Sequence, residues 1–227
     1  MLKFYFSGAP NPTKVALFLE EAGLPYEPMP VDTRKGQQHS PDYLAINPNA
    51  KVPAIVDGDV TVFDSNAILL YLGEKTGLFL PTDIRGRKTT TEWLFWQMGG
   101  LGPMAGQNHH FGVYAPEKIP YAINRYVNET NRLYGVIDRR LADRPFLVGD
   151  AYTIADMAAY PWIVPWKRQQ QSLDDFVNLR RWFDAIAARP GTQRAYAKAE
   201  PFSAQPAVTE EGKKLLFGQT AASVAKS

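Results

Sequence analysis

The segment 52–65 combines features that could bind a small acidic peptide. Val52-Pro53 opens an alternating apolar stretch that turns at Asp57-Gly58 and returns as a second strand. Proline has no N–H to donate to the hydrogen bonds between strands, so a strand that begins with proline leaves its first residues without a partner strand. The main chain of Val52 could therefore pair with an extended peptide. Asp64-Ser65 follows at a predicted helix N-terminus, a position that favours carboxylates. A main chain that can pair with a peptide, next to a position that can bind a carboxylate, predicts a small, acidic, peptide-like ligand.

Sulfur chemistry in this chain must use a ligand's sulfur. The sequence contains no cysteine, which excludes disulfides, thiolate metal sites and a thiol nucleophile of the protein itself. Glutathione is a small acidic peptide that carries a thiol, so it fits both observations. Asn11, Thr13 and the neighbouring N–H groups stand near the start of the first predicted helix, where donors stabilise a thiolate. The alternative is that Asn11 is only the cap of that helix.

The first part of the chain predicts a β-α-β-α-β-β-α order, which is thioredoxin-like. Alternating apolar residues predict strands, and apolar residues at helical spacing with a terminal Gly23 predict the first helix. Two prolines place the second strand at a sheet edge. The predicted elements are strand Leu2–Phe6, a helix with Asn11 as cap and Pro12 first, edge strand Tyr26–Val31, short helix Pro41–Ile46, hairpin Val52–Phe63 and helix Ser65–Lys75.

Strand signals end after Pro81, and helical patterns follow. The domain prediction is residues 1–81, a polar connection over 82–88, an all-α domain over 89–200 and a tail over 201–227. In the helical part, Gly99–Pro103 should break or kink a helix, residues 121–141 form a long amphipathic helix, and Thr153 to Asp156 is a capping box. In the tail, only residues 214–217 are expected to dock.

Composition excludes several classes of function. The 227 residues carry a net charge of +2, which gives no electrostatic basis for nucleic-acid binding. No apolar run is long enough to span a bilayer, and the N-terminus enters a strand pattern directly, so no signal peptide and a cytoplasmic location are predicted. His109 and His110 are adjacent and lack metal-ligand spacing with a third group, so no metal is expected.

Residues 1–200 resemble a cytosolic glutathione transferase, in which a thioredoxin-like domain precedes an all-helical one. Val52-Pro53 and Asp64-Ser65 match the positions where that superfamily holds glutathione. The motif over residues 100–111 (GLGPMAGQNHHF), Ile119–Ala122, and Pro10-Asn11 with Lys14-Val15 are similar to the bacterial Nu class and its fungal prion-domain relatives. The resemblance implies a homodimer that binds two glutathione molecules, or one glutathione disulfide, per subunit.

The same resemblance implies roles for individual residues. Asn11 contacts the sulfur, Val52-Pro53 pairs with the peptide main chain, and Asp64 and Ser65 hold the γ-glutamyl ammonium and carboxylate. Gln38 matches a family position that contacts the glycyl carboxylate, and Arg132 matches an arginine that helps to hold the second glutathione. Independently of the resemblance, Lys51 lies beside Val52 and could add charge attraction for the glycyl carboxylate. Each has a plainer alternative, namely a helix cap for Asp64 or Ser65, a solvated loop for Gln38 and Lys51, and an ion pair with Glu129 for Arg132.

Two early hydroxyls are alternative sulfur activators. Tyr5 lies within the first strand and is expected to pack in the core, whereas Ser7 lies at the strand end and ranks below Asn11. The chain departs from the resemblance at Ala9, where many Nu-class members have threonine. A hydroxyl for the glutathione sulfur is therefore missing, which leaves Asn11 as the main candidate.

The resemblance to the Nu class thus implies a glutathione-dependent disulfide-bond oxidoreductase with weak transferase activity. The first alternative is a glutathione transferase or peroxidase that acts on electrophiles or hydroperoxides with the same thiolate. The second alternative is a non-catalytic glutathione-binding regulator, which the alanine at position 9 keeps open. The predicted partners are glutathione, glutathione disulfide and a small disulfide or electrophile.

Overall fold

The computed structural model describes residues 1–203 and 209–221. Contacts divide the chain into two compact units: residues 1–71 with 193–227, and residues 72–192. The first unit contains the sheet, and the second is built from helices. The fold predicted from the sequence, a thioredoxin-like domain with a helical domain, is confirmed.

The sheet of the first unit has four strands in the order β2-β1-β3-β4. β1 runs parallel to β2 and antiparallel to β3, and β3 is antiparallel to β4. The two prolines of β2 lie on an edge strand, where a missing N–H costs least. The strands are β1 Leu2–Phe6, β2 Tyr26–Pro30, β3 Ala54–Asp57 and β4 Val60–Phe63.

Alternation along β1 explains which face of the sheet is buried. Leu2, Phe4 and Phe6 are buried, while the residues between them are more exposed. The β3–β4 turn uses Gly58 at φ 67°, a left-handed conformation that glycine adopts without steric cost. The hairpin predicted at Asp57-Gly58 is therefore confirmed, and it delivers the chain to the start of the next helix.

Three helices accompany the sheet: α1 Pro10–Ala22, α2 Pro41–Ile46 and α3 Ser65–Thr76. α1 ends at Gly23, in the left-handed conformation typical of a helix C-terminus. Its start differs from the prediction, because Ala9 is the N-cap residue and Pro10 the first helical residue. The prediction that Asn11 caps α1 is wrong, since Asn11 lies inside the first turn.

Part of the C-terminal tail is folded within the first unit. α9 spans Pro190–Ser203, and its Arg194 and Lys198 pair with Glu20 of α1. A further helix, α10 Glu210–Phe217, brings Leu215 against Gly36. The expectation that residues 214–217 can dock is met at Leu215. The remainder of the predicted tail, 204–208 and 222–227, lies outside the described residues.

The second unit continues with helices α4 to α8. They are α4 Ile84–Trp96, α5 Gly102–His109, α6 Pro120–Arg140, α7 Ile154–Ile163 and α8 Val177–Ala187. The polar connection predicted over 82–88 contains the start of α4, where Asp83 caps the helix by accepting hydrogen bonds from the N–H groups of Arg85 and Gly86. The helix therefore begins at Ile84, earlier than the predicted residue 89. Charged residues there form a solvated first turn.

The glycine run of the second unit does not end the helical path. Gln97–Leu101 forms a π-helical segment between α4 and α5, and a second, His110–Tyr114, follows α5. The α-helical hydrogen bonding is therefore interrupted between Trp96 and Gly102. The prediction that Gly99–Pro103 breaks or kinks a helix is met in this form, as an interruption by a π-helical segment.

The capping box of α7 is confirmed. The Thr153 hydroxyl accepts a hydrogen bond from the N–H of Ala155, and the Asp156 carboxylate accepts one from the N–H of Thr153. Asp156 also accepts from Leu147 N–H and the Trp182 indole. Within the described ranges, no helix combines the length and apolar character that crossing a membrane requires.

Candidate active site

The corner between β4 and α3 holds Asp64 in an unusual conformation. Its φ is 71°, a region that residues other than glycine seldom occupy and that often marks a functional site. The Asp64 Oδ1 accepts hydrogen bonds from the N–H groups of Asn66, at 2.9 Å, and Ala67, at 3.2 Å. Asp64 therefore caps α3, as its plainer reading required. That role leaves its second oxygen to be considered as a ligand for an ammonium group.

Ser65 is the first residue of α3 and is buried. Its main-chain N–H lies at the positive end of the helix, where the dipole attracts anions. The Ser65 Oγ accepts a hydrogen bond from the Lys14 ammonium at 3.1 Å. The Ser65 hydroxyl proton is consequently directed elsewhere, and it can be donated to a carboxylate.

Lys14 is a functional candidate that sequence reasoning did not single out. The residue is 0% exposed, and its Nζ also donates to Asn66 Oδ1 at 3.0 Å. Burial lowers the pKa of Lys14 to about 7, and the negative charge of Asp64 opposes this shift. One signal in the sequence could have found it, because Lys14 directly precedes the apolar run Val15–Leu19 of a helix that is buried on several sides.

The peptide edge predicted at Val52 is present. The Val52-Pro53 bond is cis, and within the described residues no hydrogen bond engages the main-chain N–H or C=O of Val52. The preceding carbonyl, of Lys51, accepts from the Tyr43 hydroxyl and from the Asn47 side chain. Burial raises the pKa of Tyr43, so its phenol stays protonated as a donor. These two anchors hold the turn that presents Val52.

Asn11 supplies the donors of the first turn of α1. Pro10 and Pro12 have no N–H, so the main-chain donor of that turn comes from Asn11. Thr13, proposed beside it as a sulfur contact, is buried, and its hydroxyl donates to the Ala9 carbonyl at 3.0 Å. The Thr13 hydroxyl therefore fixes the helix start and is engaged away from a ligand sulfur.

Gln38 and Lys51 differ sharply in exposure. The Gln38 side chain is buried; its Nε2 donates to the Thr33 carbonyl at 3.0 Å, and its Oε1 has no partner among the described residues. The reading of Gln38 as a solvated loop residue is therefore wrong. A primary amide has a second N–H, and no acceptor among the described residues engages it. The Lys51 residue is exposed, so its ammonium can act only as a surface charge in this structure.

The alternative sulfur activators lie in different surroundings. Tyr5 packs edge-on against Tyr43 in a small apolar cluster, as its core reading predicted. Ser7 lines a cavity of about 380 Å³ whose walls are mostly apolar and include Phe6, Pro12 and Phe202. Ser7 is thus positioned beside an apolar space next to the start of α1.

Arg132 belongs to the second unit, and there it forms an ion pair. Its Nε and Nη2 donate to the two carboxylate oxygens of Glu129 at 3.0 and 2.7 Å. The hydrogen bond from Arg132 lowers the pKa of Glu129. The Arg132 side chain is 60% exposed, so one side of the guanidinium remains accessible to solvent. Across residues 1–203 and 209–221, no group of three His, Cys, Asp or Glu side chains is arranged to hold a metal.

Comparisons with known proteins identify the family. Residues 1–74 match the model of the glutathione S-transferase N-terminal domain, and residues 116–190 match that of the C-terminal domain. The chain is 50% identical over 207 residues to the disulfide-bond oxidoreductase YfcG of Escherichia coli, covering 88% of this chain and 96% of that protein.

Solved structures give the same result. A glutathione transferase from Burkholderia graminis, with two glutathione molecules per subunit, is 38% identical with a TM-score of 0.81, covering 86% of this chain and 87% of that one. A glutathione transferase from Pseudomonas putida, with one glutathione disulfide per subunit, is 37% identical with a TM-score of 0.82, covering 86% and 90%. The chain belongs to the glutathione S-transferase family.

Proposed function

We propose that this protein is a glutathione-dependent disulfide-bond oxidoreductase with weak glutathione transferase activity. The observation that carries the proposal is its 50% identity to a disulfide-bond oxidoreductase over nearly the full length of both chains. The absence of cysteine supports it, because the sulfur atoms of the reaction then belong to glutathione and the substrate.

One glutathione lies along the first unit in this proposal. Its γ-glutamyl ammonium binds Asp64, and its α-carboxylate binds the N–H and hydroxyl of Ser65. Its cysteinyl main chain pairs with Val52, beside Pro53, in the manner of an added strand. This orientation uses the two features that the structure leaves open to a peptide, the main chain of Val52 and the start of α3.

The other proposed contacts of glutathione involve one buried residue, one exposed residue and one residue of the second unit. Gln38 binds the glycyl carboxylate through its second amide N–H, and Lys51 adds a surface charge nearby. Asn11 donates to the sulfur and favours its thiolate form. We assign Arg132 to the second glutathione, with the guanidinium held in place by Glu129. The two glutathione molecules in the Burkholderia graminis protein support a second ligand.

The proposed reaction consists of two thiol–disulfide exchanges. The thiolate of the first glutathione attacks one sulfur of the substrate disulfide, and the other sulfur leaves as a thiolate that takes a proton from water. The second glutathione then attacks the resulting mixed disulfide as its thiolate, which releases the second substrate thiol and forms glutathione disulfide. Two electrons pass from two glutathione molecules to the substrate.

A second candidate function is transfer of glutathione to an apolar electrophile, or reduction of a hydroperoxide. The apolar cavity beside Ser7 and Pro12 favours it, because an apolar substrate could occupy this space next to the first turn of α1. Both functions use the same thiolate, so only assays with different substrates separate them. A third candidate, a non-catalytic regulator, predicts glutathione binding without turnover.

The test is steady-state reduction of a small glutathione mixed disulfide, coupled to glutathione reductase and NADPH. We expect saturable turnover in the parent and a loss of about tenfold to a hundredfold in kcat/KM in Asn11→Ala, the worth of a charge-assisted hydrogen bond. Asn128→Ala, on the exposed face of α6, is the matched control and should keep parent activity. Turnover no faster than without protein, together with activity on an aryl halide or hydroperoxide, would favour the second candidate.

Class, assembly and location complete the proposal. The motif over residues 100–111 supports the Nu class. Ile84 and Phe95 on one face of α4 are 80% and 71% exposed, and apolar residues exposed in this way support a homodimer. We propose a cytoplasmic location and domains of 1–81 and 89–200, joined by a connection over 82–88 that contains the start of α4. Sedimentation of Phe95→Glu tests the homodimer. Cell fractionation tests the location, and limited proteolysis tests the domain limits.

A further inference from the structure

The Lys14 ammonium is enclosed at the base of the proposed γ-glutamyl subsite. Lys14 lies on α1, 51 positions before Ser65 in sequence, yet its Nζ is 3.1 Å from the Ser65 Oγ. Its second acceptor is Asn66 Oδ1 at 3.0 Å. A charged side chain with no exposure is rare unless it is paired. The hydrogen bonds from Lys14 to Ser65 and Asn66 therefore tie α1 directly to the start of α3.

The hydrogen bond from Lys14 fixes the direction of the Ser65 hydroxyl. An ammonium has three donors and no acceptor, so Ser65 Oγ must be the acceptor and its own proton must go to another group. A ligand carboxylate at the start of α3 is such an acceptor. With hydrogen bonds of ordinary length, this carboxylate would lie within about 6 Å of the Lys14 nitrogen.

The protonation of Lys14 should depend on whether a ligand carboxylate is bound at the start of α3. Burial lowers the pKa of Lys14 to about 7, and the charge of Asp64 at the start of α3 acts in the opposite direction. A second negative charge at the subsite, the carboxylate of a ligand, would raise the pKa further, because an opposite charge in a dry environment favours the ionised form. Binding of the carboxylate and protonation of the amine should therefore favour each other.

We propose that Lys14 is a positioning residue of the γ-glutamyl subsite, which orients the Ser65 hydroxyl toward the ligand α-carboxylate and couples carboxylate binding to proton uptake by the buried amine. The inference rests on the proposed binding of glutathione to this unit. It adds a consequence that capping and dipole effects at α3 do not predict, namely that affinity for the γ-glutamyl group falls as pH rises through neutrality.

The experiment uses S-methylglutathione, which has the γ-glutamyl group and no ionisable thiol. Calorimetric titration of the full chain between pH 6 and pH 8 should show affinity falling about fivefold, for a rise of about one unit in the pKa of Lys14 on binding. At pH 7.5, comparison of phosphate and Tris buffers should show uptake of about half a proton per ligand bound. This measurement on the parent protein needs no variant.

Two variants assign the effect to its group. Lys14→Met keeps the length of the side chain and removes the charge, so it should bind more weakly at pH 6 and show neither pH dependence nor proton uptake. Lys51→Met removes an exposed charge proposed near the glycyl carboxylate. It should weaken binding uniformly and keep the pH slope of the parent.

The outcomes distinguish this inference from the proposed function. If folded parent protein binds S-methylglutathione at no pH, the proposed function fails and the inference fails with it. If the parent binds with a flat pH profile and no proton uptake, only the inference fails. Uptake that survives in Lys14→Met would assign the proton to another group and would also overturn it. Should Lys14→Met not fold, Lys14→Gln takes its place, with the same expected loss of pH dependence and of proton uptake.

Discussion

Substitutions at Asp64 separate its role in capping α3 from its proposed role in binding glutathione. Three substitutions make different demands on the backbone and on the ligand. Asparagine caps a helix as well as aspartate does and tolerates positive φ, whereas glycine accepts the φ of 71° and weakens the cap only slightly. Alanine loses the hydrogen bonds to Asn66 and Ala67 and is strained at positive φ.

These differences predict the free energy of unfolding. Asp64→Asn and Asp64→Gly should stay within about 0.5 kcal/mol of the parent, because cap and backbone geometry are largely kept. Asp64→Ala should lose about 2 kcal/mol, of which about 1 comes from the cap and about 1 from the left-handed conformation. Urea denaturation at pH 8 measures this order, since Lys14, with a pKa of about 7, is mostly neutral there.

Affinity should follow a different order. All three variants remove the carboxylate that we assign to the ligand ammonium, and a hydrogen bond to a charged group is worth about 1.5–3 kcal/mol. Glutathione should therefore bind about tenfold to a hundredfold more weakly to each of them. Calorimetric titration provides the measurement. Parent affinity in Asp64→Asn, or affinities that simply follow the stabilities, would show that Asp64 is only a helix cap.

Two other predictions concern folding and the tail. Asp156→Ala should lower the free energy of unfolding by at least about 3 kcal/mol, because the buried N–H groups of Leu147, Thr153 and the Trp182 indole lose their acceptor. Urea denaturation measures this loss, with Asp150→Ala at an exposed position as the control, and a loss below about 1 kcal/mol would contradict the prediction. Leu215→Ala should speed hydrogen exchange in residues 33–40, because it removes the side chain that packs against Gly36. It should also weaken glutathione binding about twofold to threefold, since truncating a packed side chain costs at least about 0.5 kcal/mol. An equal effect of Phe217→Ala would argue against a specific contact between Leu215 and Gly36.

Local rules predicted the sheet because its signals lie close together in sequence. Alternation in β1, prolines in β2 and the Asp57-Gly58 turn each indicate one element, and a single parallel crossover followed by a hairpin then leaves few topologies. The start of α1 was predicted wrongly for a related reason. Pro10 and Pro12 both suit a first helical position, and the local pattern does not choose between them.

The parts that the sequence did not predict depend on contacts between distant segments. Lysine is expected on a surface, and the hydrogen bonds that Lys14 donates inside the fold go to Ser65 and Asn66, more than fifty positions away in sequence. The alternative of a solvated loop for Gln38 was wrong because its buried environment comes from tertiary structure. The glycines near residue 100 predicted a break or a kink, but the local pattern did not indicate that the interruption takes the form of a π-helical segment.

The structure also bears on whether the alanine at position 9 argues against activation of the glutathione sulfur. Ala9 is the N-cap residue of α1 and offers no side-chain cap, and Pro10 and Pro12 contribute no N–H. In the proposed complex, Asn11 is therefore the donor that we assign to the sulfur at this helix end. Lowering a thiol pKa by about two units requires about 2.7 kcal/mol, and a charge-assisted hydrogen bond of about 1.5–3 kcal/mol with a helix-end contribution of about 0.3–1 kcal/mol reaches this value. A hydroxyl at position 9 is thus not required for thiolate formation, so the substitution by alanine does not by itself favour a non-catalytic role.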